Sequence, residues 1–157
     1  MAPPQIPAAL TPSLAADPFN WEAALGLIRR AFAGMEGRID PPSSIHHFTP
    51  TDLQAGEFWC IGTPPIACIL LTPKPRALYL GKLAVEPGLT RRGLARALIA
   101  CAETRARALG LPALELQTRV ELTENHATFR ALGFHETART AHAGYDRPTA
   151  ITFRKPL

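Results

Sequence analysis

Between Leu78 and Leu98 the chain changes character abruptly. The apolar run Leu78-Tyr79-Leu80-Gly81-Lys82-Leu83-Ala84-Val85 meets the turn Glu86-Pro87-Gly88-Leu89, and Thr90-Arg91-Arg92-Gly93-Leu94-Ala95-Arg96-Ala97-Leu98 follows. A buried strand therefore feeds a Pro-Gly turn that opens a helix rich in Gly, Ala and Arg. The first four amides of a helix have no intrahelical acceptor and lie at the positive end of its dipole. Such an end binds anions, and Gly93 and Ala95 let a phosphate approach the backbone. Arg91, Arg92 and Arg96 add charge, and the backbone donors rank first because exposed arginines contribute less. A solvated arginine face is the plain alternative for this segment taken alone. The segment lacks G-x-x-x-x-G-K-[ST] and G-x-G-x-x-G, so neither the nucleoside triphosphatase loop nor the dinucleotide fingerprint fits.

The rest of the chain organises around that unit. Asp17 is placed to cap a helix with Pro18 at its first position, and Ala23, Ala24, Leu27, Ile28 and Phe32 follow at helical spacing. Thr49 or Thr51 starts a short helix through Leu53 and Ala55, closed by Gly56. Phe58 to Ile61, Pro65 to Leu71 and Ala77 to Val85 read as an antiparallel meander. The long helix places Leu94, Ala97, Leu98, Cys101 and Ala108 on one face and ends at Gly110. A strand at Leu114 to Val120, a helix at Thr123 to Leu132 and strands at Phe134 to Thr140 and Ala150 to Arg154 complete the order. The expected fold class is α/β: a mixed α+β sheet, parallel only across the long helix, with helices on both faces. The 157 residues fit a single domain, with residues 1–16, bearing Pro3, Pro4, Pro7 and Pro12, as a loosely ordered lead-in with room for a short edge strand.

Composition removes several classes. Hydrophobic residues make up 46% and charged residues 19%, which suits neither a disordered chain nor a coiled coil. No apolar run nears the ~20 residues of a membrane helix, and no Lys or Arg precedes Arg29, so a cytoplasmic protein is expected. Cys60, Cys68 and Cys101 form no Cys-x-x-Cys pair, which argues against a disulfide framework. Cys68 and Cys101 read as core residues. His46, His47, His126, His135 and His142 lack metal-ligand spacing, so no metal is expected. The net charge is +4, with five arginines against Glu103 between Arg91 and Arg107. No aromatic-interleaved basic motif accompanies them, so a small polyanion is favoured over nucleic acid.

Leu83-Ala84-Val85 followed by Thr90-Arg91-Arg92-Gly93-Leu94-Ala95 resembles the acetyl-CoA motif of the GNAT N-acetyltransferase superfamily. Glu124-Asn125-His126-Ala127-Thr128-Phe129-Arg130-Ala131-Leu132-Gly133-Phe134 resembles its second signature, an Asn-led helix ending in Leu-Gly-Phe. The resemblance implies the GNAT acyl-CoA N-acyltransferase fold and transfer of an acetyl group from acetyl-CoA to an amine of a small molecule or protein. It implies that the amides of Arg91, Arg92, Gly93, Leu94, Ala95 and Arg96 hold the pyrophosphate. It further implies that Leu83, Ala84 and Val85 line the pantetheine arm beside a splayed strand, and that Asn125 and Phe129 contact the cofactor. Gly81 suits a bulge in the first of these strands. Thr90 departs from the usual Gln or Arg. Phe129 stands where many members carry a proton-donating Tyr, which leaves a non-catalytic acyl-CoA-binding or sensing module as the alternative.

Acyl transfer to an amine needs a deprotonated nitrogen, support for a developing oxyanion and protonation of the leaving thiolate. The Leu83 amide is the candidate oxyanion donor. Glu115, Glu121 and Glu124 are weighed as base, with Glu121 preferred because it follows the strand near the expected cleft; a solvated loop acid is its plain alternative. Glu124 better supports its helix start. Tyr145, in Gly144-Tyr145-Asp146-Arg147-Pro148, is a further proton donor or an aromatic anchor for its turn. The identity of the acceptor and the oligomeric state, a homodimer included, are left open.

Overall fold

In chain order the elements are β1 (Ser13–Leu14), α1 (Trp21–Phe32), α2 (Pro50–Leu53), β2 (Glu57–Ile61), β3 (Ala67–Lys74), β4 (Ala77–Val85), α3 (Leu94–Ala108), β5 (Ala113–Arg119), α4 (Thr123–Ala131), β6 (His135–Thr140) and β7 (Ala150–Pro156). The computed structural model describes residues 10–157; Pro3, Pro4 and Pro7 of the expected lead-in lie outside the described residues. The strands form one mixed sheet in the order β1-β2-β3-β4-β5-β7-β6. β2, β3 and β4 are the expected meander, and β4 and β5 are the parallel neighbours, joined across α3.

Each face of the sheet carries its own apolar core. Leu71, Leu78 and Leu114 pack under α3, with Phe153 in the same cluster beneath α4, whereas Leu25, Ile28, Phe58, Cys68 and Leu70 pack under α1. α3 buries Leu94, Leu98, Ala102 and Ala106, a line at four-residue spacing, with Ile99 beside it. The expected face is thus rotated: Ala97 and Cys101 sit half-buried at its margin and Ala108 is exposed. Alanine and cysteine are too small to mark the buried side by hydrophobicity.

Three boundaries differ from expectation for local reasons. The α1 cap is Asn20, whose side chain accepts from the Ala23 amide at 3.0 Å; Asp17 instead takes the Trp21 indole N–H at 2.9 Å. α2 is a single turn, its start fixed by the Thr49 and Asp52 capping box and its end short of Gly56. β3 runs through Pro73 because β2 begins at Glu57, opposite Leu71, so the proline nitrogen faces no β2 partner.

Two irregularities open the sheet. β4 pairs with β5 only at Leu78–Leu114 and Tyr79–Glu115, while β5 stays paired with β7 over its whole length. Beyond Tyr79, therefore, β4 and β5 diverge. On its other side, β4 pairs Gly81 with Leu70 but Ala84 with Cys68, so β4 holds one extra residue. Lys82 sits in this bulge with φ +51°, a left-handed conformation that a non-glycine residue adopts only at a cost. The insertion reverses the in–out alternation: Lys82 and Ala84 turn to the α1 side, and Leu83 and Val85 pack with the α3 core.

Candidate active site

The divergence of β4 and β5 leaves a cleft of about 430 Å³. Leu80 to Leu83 form one wall, Leu116 to Arg119 the other, and Asn125 and Phe129 of α4 line it as well. Asn125 and Phe129 are four residues apart and so share a helix face. A second hollow of about 290 Å³ adjoins it, sharing Leu83, Leu122 and Asn125 and extending past Val85 to Thr90. The two together lead from the bulge towards the start of α3. A β4 edge without a strand partner borders this route, which leaves its backbone groups free for an extended ligand.

At the far end lies the start of α3, where the sequence places an anion site. Gly93 caps α3 with φ +82°, and Arg91 has φ +62°. Among the described residues, the amides of Arg91, Arg92, Gly93, Leu94, Ala95 and Arg96 donate to no backbone carbonyl. Arg91, Arg92 and Arg96 are exposed and enter no ion pair among the described residues. A row of unpaired donors on the α3 dipole, with cations around it, has the chemistry to hold a diphosphate.

The acid–base candidates occupy a different place. Tyr145 donates its hydroxyl to Asp40 Oδ1 at 2.6 Å, and Arg147 reaches Asp40 Oδ2 at 3.1 Å. Glu121 Oε2 accepts from the Asp40 amide at 3.1 Å, while its buried Oε1 has no partner. Glu121 and Tyr145 are therefore brought together at Asp40, and neither lines the cleft. The bond to Asp40 raises the Tyr145 pKa, since losing the phenol proton would set two anions side by side. Arg119 donates to the Pro41 and Pro42 carbonyls at 2.6 and 3.4 Å, so this group ties the segment before Ser43 to the end of β5.

Glu124 supports its helix through an ion pair with Arg38 at 2.7 Å. The Arg38 hydrogen bonds hold its carboxyl at about 2. A depressed carboxyl stabilises the fold above its ordinary pKa near 4.5 and loses that contribution as pH falls towards about 2. Thermal melts of wild type and Arg38→Met are accordingly expected to differ most above pH 4.5 and to converge by about pH 2. A gap that widens on acidification would contradict this. Glu115 pairs with Arg154 at 3.2 Å, which accounts for that acid.

Several cleft residues carried no signal in the sequence. Tyr79 and Lys82 come from β4, Gln117 and Arg119 from β5, and Ser43 and Ser44 from the preceding loop. Burial raises the Tyr79 pKa, so its phenol stays protonated; burial lowers that of Lys82. Phe129 brings no hydroxyl and packs edge-on against Phe134, whereas Tyr79 supplies a phenol to the same cleft. Among the described residues no three His, Cys, Asp or Glu side chains converge as a metal site, and no helix is long and apolar enough to cross a membrane.

Solved structures of known proteins share this fold. The ribosomal-protein-S18-alanine N-acetyltransferase from Escherichia coli has 23% identity and a TM-score of 0.70, covering 93% of this chain and 92% of its own. A GNAT family acetyltransferase from Elizabethkingia anophelis, solved with acetyl-CoA bound, has 16% identity and a TM-score of 0.69, covering 94% and 97%. A Bacillus subtilis acetyltransferase in complex with CoA has 18% identity and a TM-score of 0.65, covering 94% and 98%. No curated protein matches the sequence. The sequence model of the Acetyltransferase (GNAT) family matches residues 21–134, a span that takes in α1, the bulged β4, the start of α3 and α4. By that match, and with the same fold in these enzymes, the chain belongs to the GNAT family of acetyltransferases.

Proposed function

We propose that the chain transfers an acetyl group from acetyl-CoA to the nitrogen of an amine acceptor. The observation that carries this reading is the unpartnered β4 edge leading to the unpaired amides of Arg91 to Arg96. Those residues fit the cofactor: the amides suit its diphosphate, Leu83 to Val85 its extended arm, and Asn125 its amide groups. Acetyl-CoA supplies the acyl carbon, to which an N–C bond forms as the C–S bond breaks and a proton passes from nitrogen to the departing sulfur or to water.

The Leu83 amide, at the bulge and without a register partner on β3 or β5, is assigned to the charge that develops on the acyl oxygen; a fixed backbone donor needs no reorganisation. Tyr79 is assigned the proton for the sulfur, since it lines the cleft protonated and Phe129 cannot donate. Glu121 and Tyr145, engaged on Asp40, are assigned to positioning the loop over the acceptor side. Two measurements test the reading. Calorimetry should detect acetyl-CoA binding below millimolar concentration, and thiol release should appear with at least one amine in a panel. Tyr79→Phe should then lower kcat by about tenfold or more, with a smaller change in KM for acetyl-CoA. Binding without thiol release for any amine would favour the sensing module instead.

A further inference from the structure

Lys82 and Arg119 are the charged residues that line the main cleft, and both are cations. They stand on opposite sides of the gap, Lys82 at the β4 bulge and Arg119 at the end of β5. Both project to the α1 side of the sheet: the Lys82 Nζ lies 4.5 Å from the centre of the Phe48 ring, and Arg119 meets the loop at Pro41. Neither has a carboxylate within ion-pair distance among the described residues. The carboxylate that acts on Lys82 from a distance belongs to Asp52, which is occupied by the Thr49 amide and hydroxyl at 2.7 and 2.9 Å. Arg119 is bonded only to neutral carbonyls. In the adjoining hollow, Glu124 and Arg38 neutralise each other.

A half-buried cation without a counter-ion is costly, and burial already disfavours the charged form of Lys82. Two of them facing one gap repel a polycation and attract an anion. The cleft is also small, and the acyl arm takes part of its volume. Resting on the acetyltransferase reading above, we infer that the acceptor is a small amine that also carries a carboxylate, which Lys82 and Arg119 hold while the nitrogen faces Leu83. Polyamines and basic peptides are excluded by the same charges.

The test compares thiol release from acetyl-CoA for amino acids of two to five carbons against their carboxamides, with spermidine as the polycation. Rates are compared per unprotonated amine, so that differences in acceptor pKa cancel. The expected result is a preference for the carboxylate member of about tenfold or more, the scale of one charge-assisted hydrogen bond. Lys82→Met and Arg119→Gln should each narrow that preference, with the affinity for acetyl-CoA shifting far less than the preference. Equal or faster turnover of carboxamides or spermidine would overturn the inference and leave the acetyltransferase reading standing. So would a loss of acetyl-CoA affinity matching the loss of preference, because the cations would then serve the cofactor. The wild-type comparison decides the matter even if either variant folds poorly. Absence of turnover with every amine would remove the transferase reading and this inference with it.

Discussion

Coenzyme A titrated into the Gly93→Glu variant should bind at least about a hundredfold more weakly than into wild type. Gly93 lies at φ +82°, where a side chain adds about 1–2 kcal/mol of strain. Space is not the obstacle, since an added Cβ would meet only Leu10 Cδ1 at 3.5 Å. The charge is what matters. A carboxylate at this cap competes for the donors left free from Arg91 to Arg96 and repels an incoming diphosphate. Gly93→Asn separates the two effects, because asparagine tolerates the left-handed region and carries no charge. It should keep most of the affinity. Unchanged binding in the glutamate variant would mean that the diphosphate sits elsewhere.

Phe153→Ala should have the largest effect on stability. Its ring is fully buried on β7, with Phe129 at 6.1 Å, His126 at 5.9 Å and the Arg130 guanidinium at 5.5 Å. Removing a buried aromatic ring typically costs about 3–5 kcal/mol, which in a chain of this size lowers Tm by roughly 10 °C. All three neighbours belong to α4, so the cavity opens under the helix that carries Asn125 and Phe129 to the cleft. KM for acetyl-CoA should therefore rise alongside the loss of Tm. Calorimetric melts and steady-state kinetics check the two together, and a Tm within about 2 °C of wild type would show that the site collapses around the deletion.

Expectation and structure agree where the signal is local. The meander, the parallel step across α3, the helix after Thr123 and the opening of α3 after the Pro-Gly turn each follow from turn residues and apolar spacing within a few positions. The buried face of α3 was less legible, because its alanines and cysteine leave several rotations nearly equal in hydrophobicity. The acid–base candidates show a different limit. Glu121 follows a strand and Tyr145 sits in a turn, yet both meet at Asp40, about 80 and 105 positions away in the chain. No nearby residue announces such a partner.

The amino-acid order alone indicated the order of strands and helices, the Gly- and Arg-rich start of α3 and the kinship with acetyl-CoA enzymes, since turn residues, apolar spacing and motifs are each written within short segments. The cleft was decided by tertiary structure. Its width comes from β5 following β7 rather than β4, and its lining comes from one extra residue at Lys82 that turns alternate side chains to the opposite face. Pairing register is a property of two strands at once, so neither strand's sequence states which side chains will face the substrate.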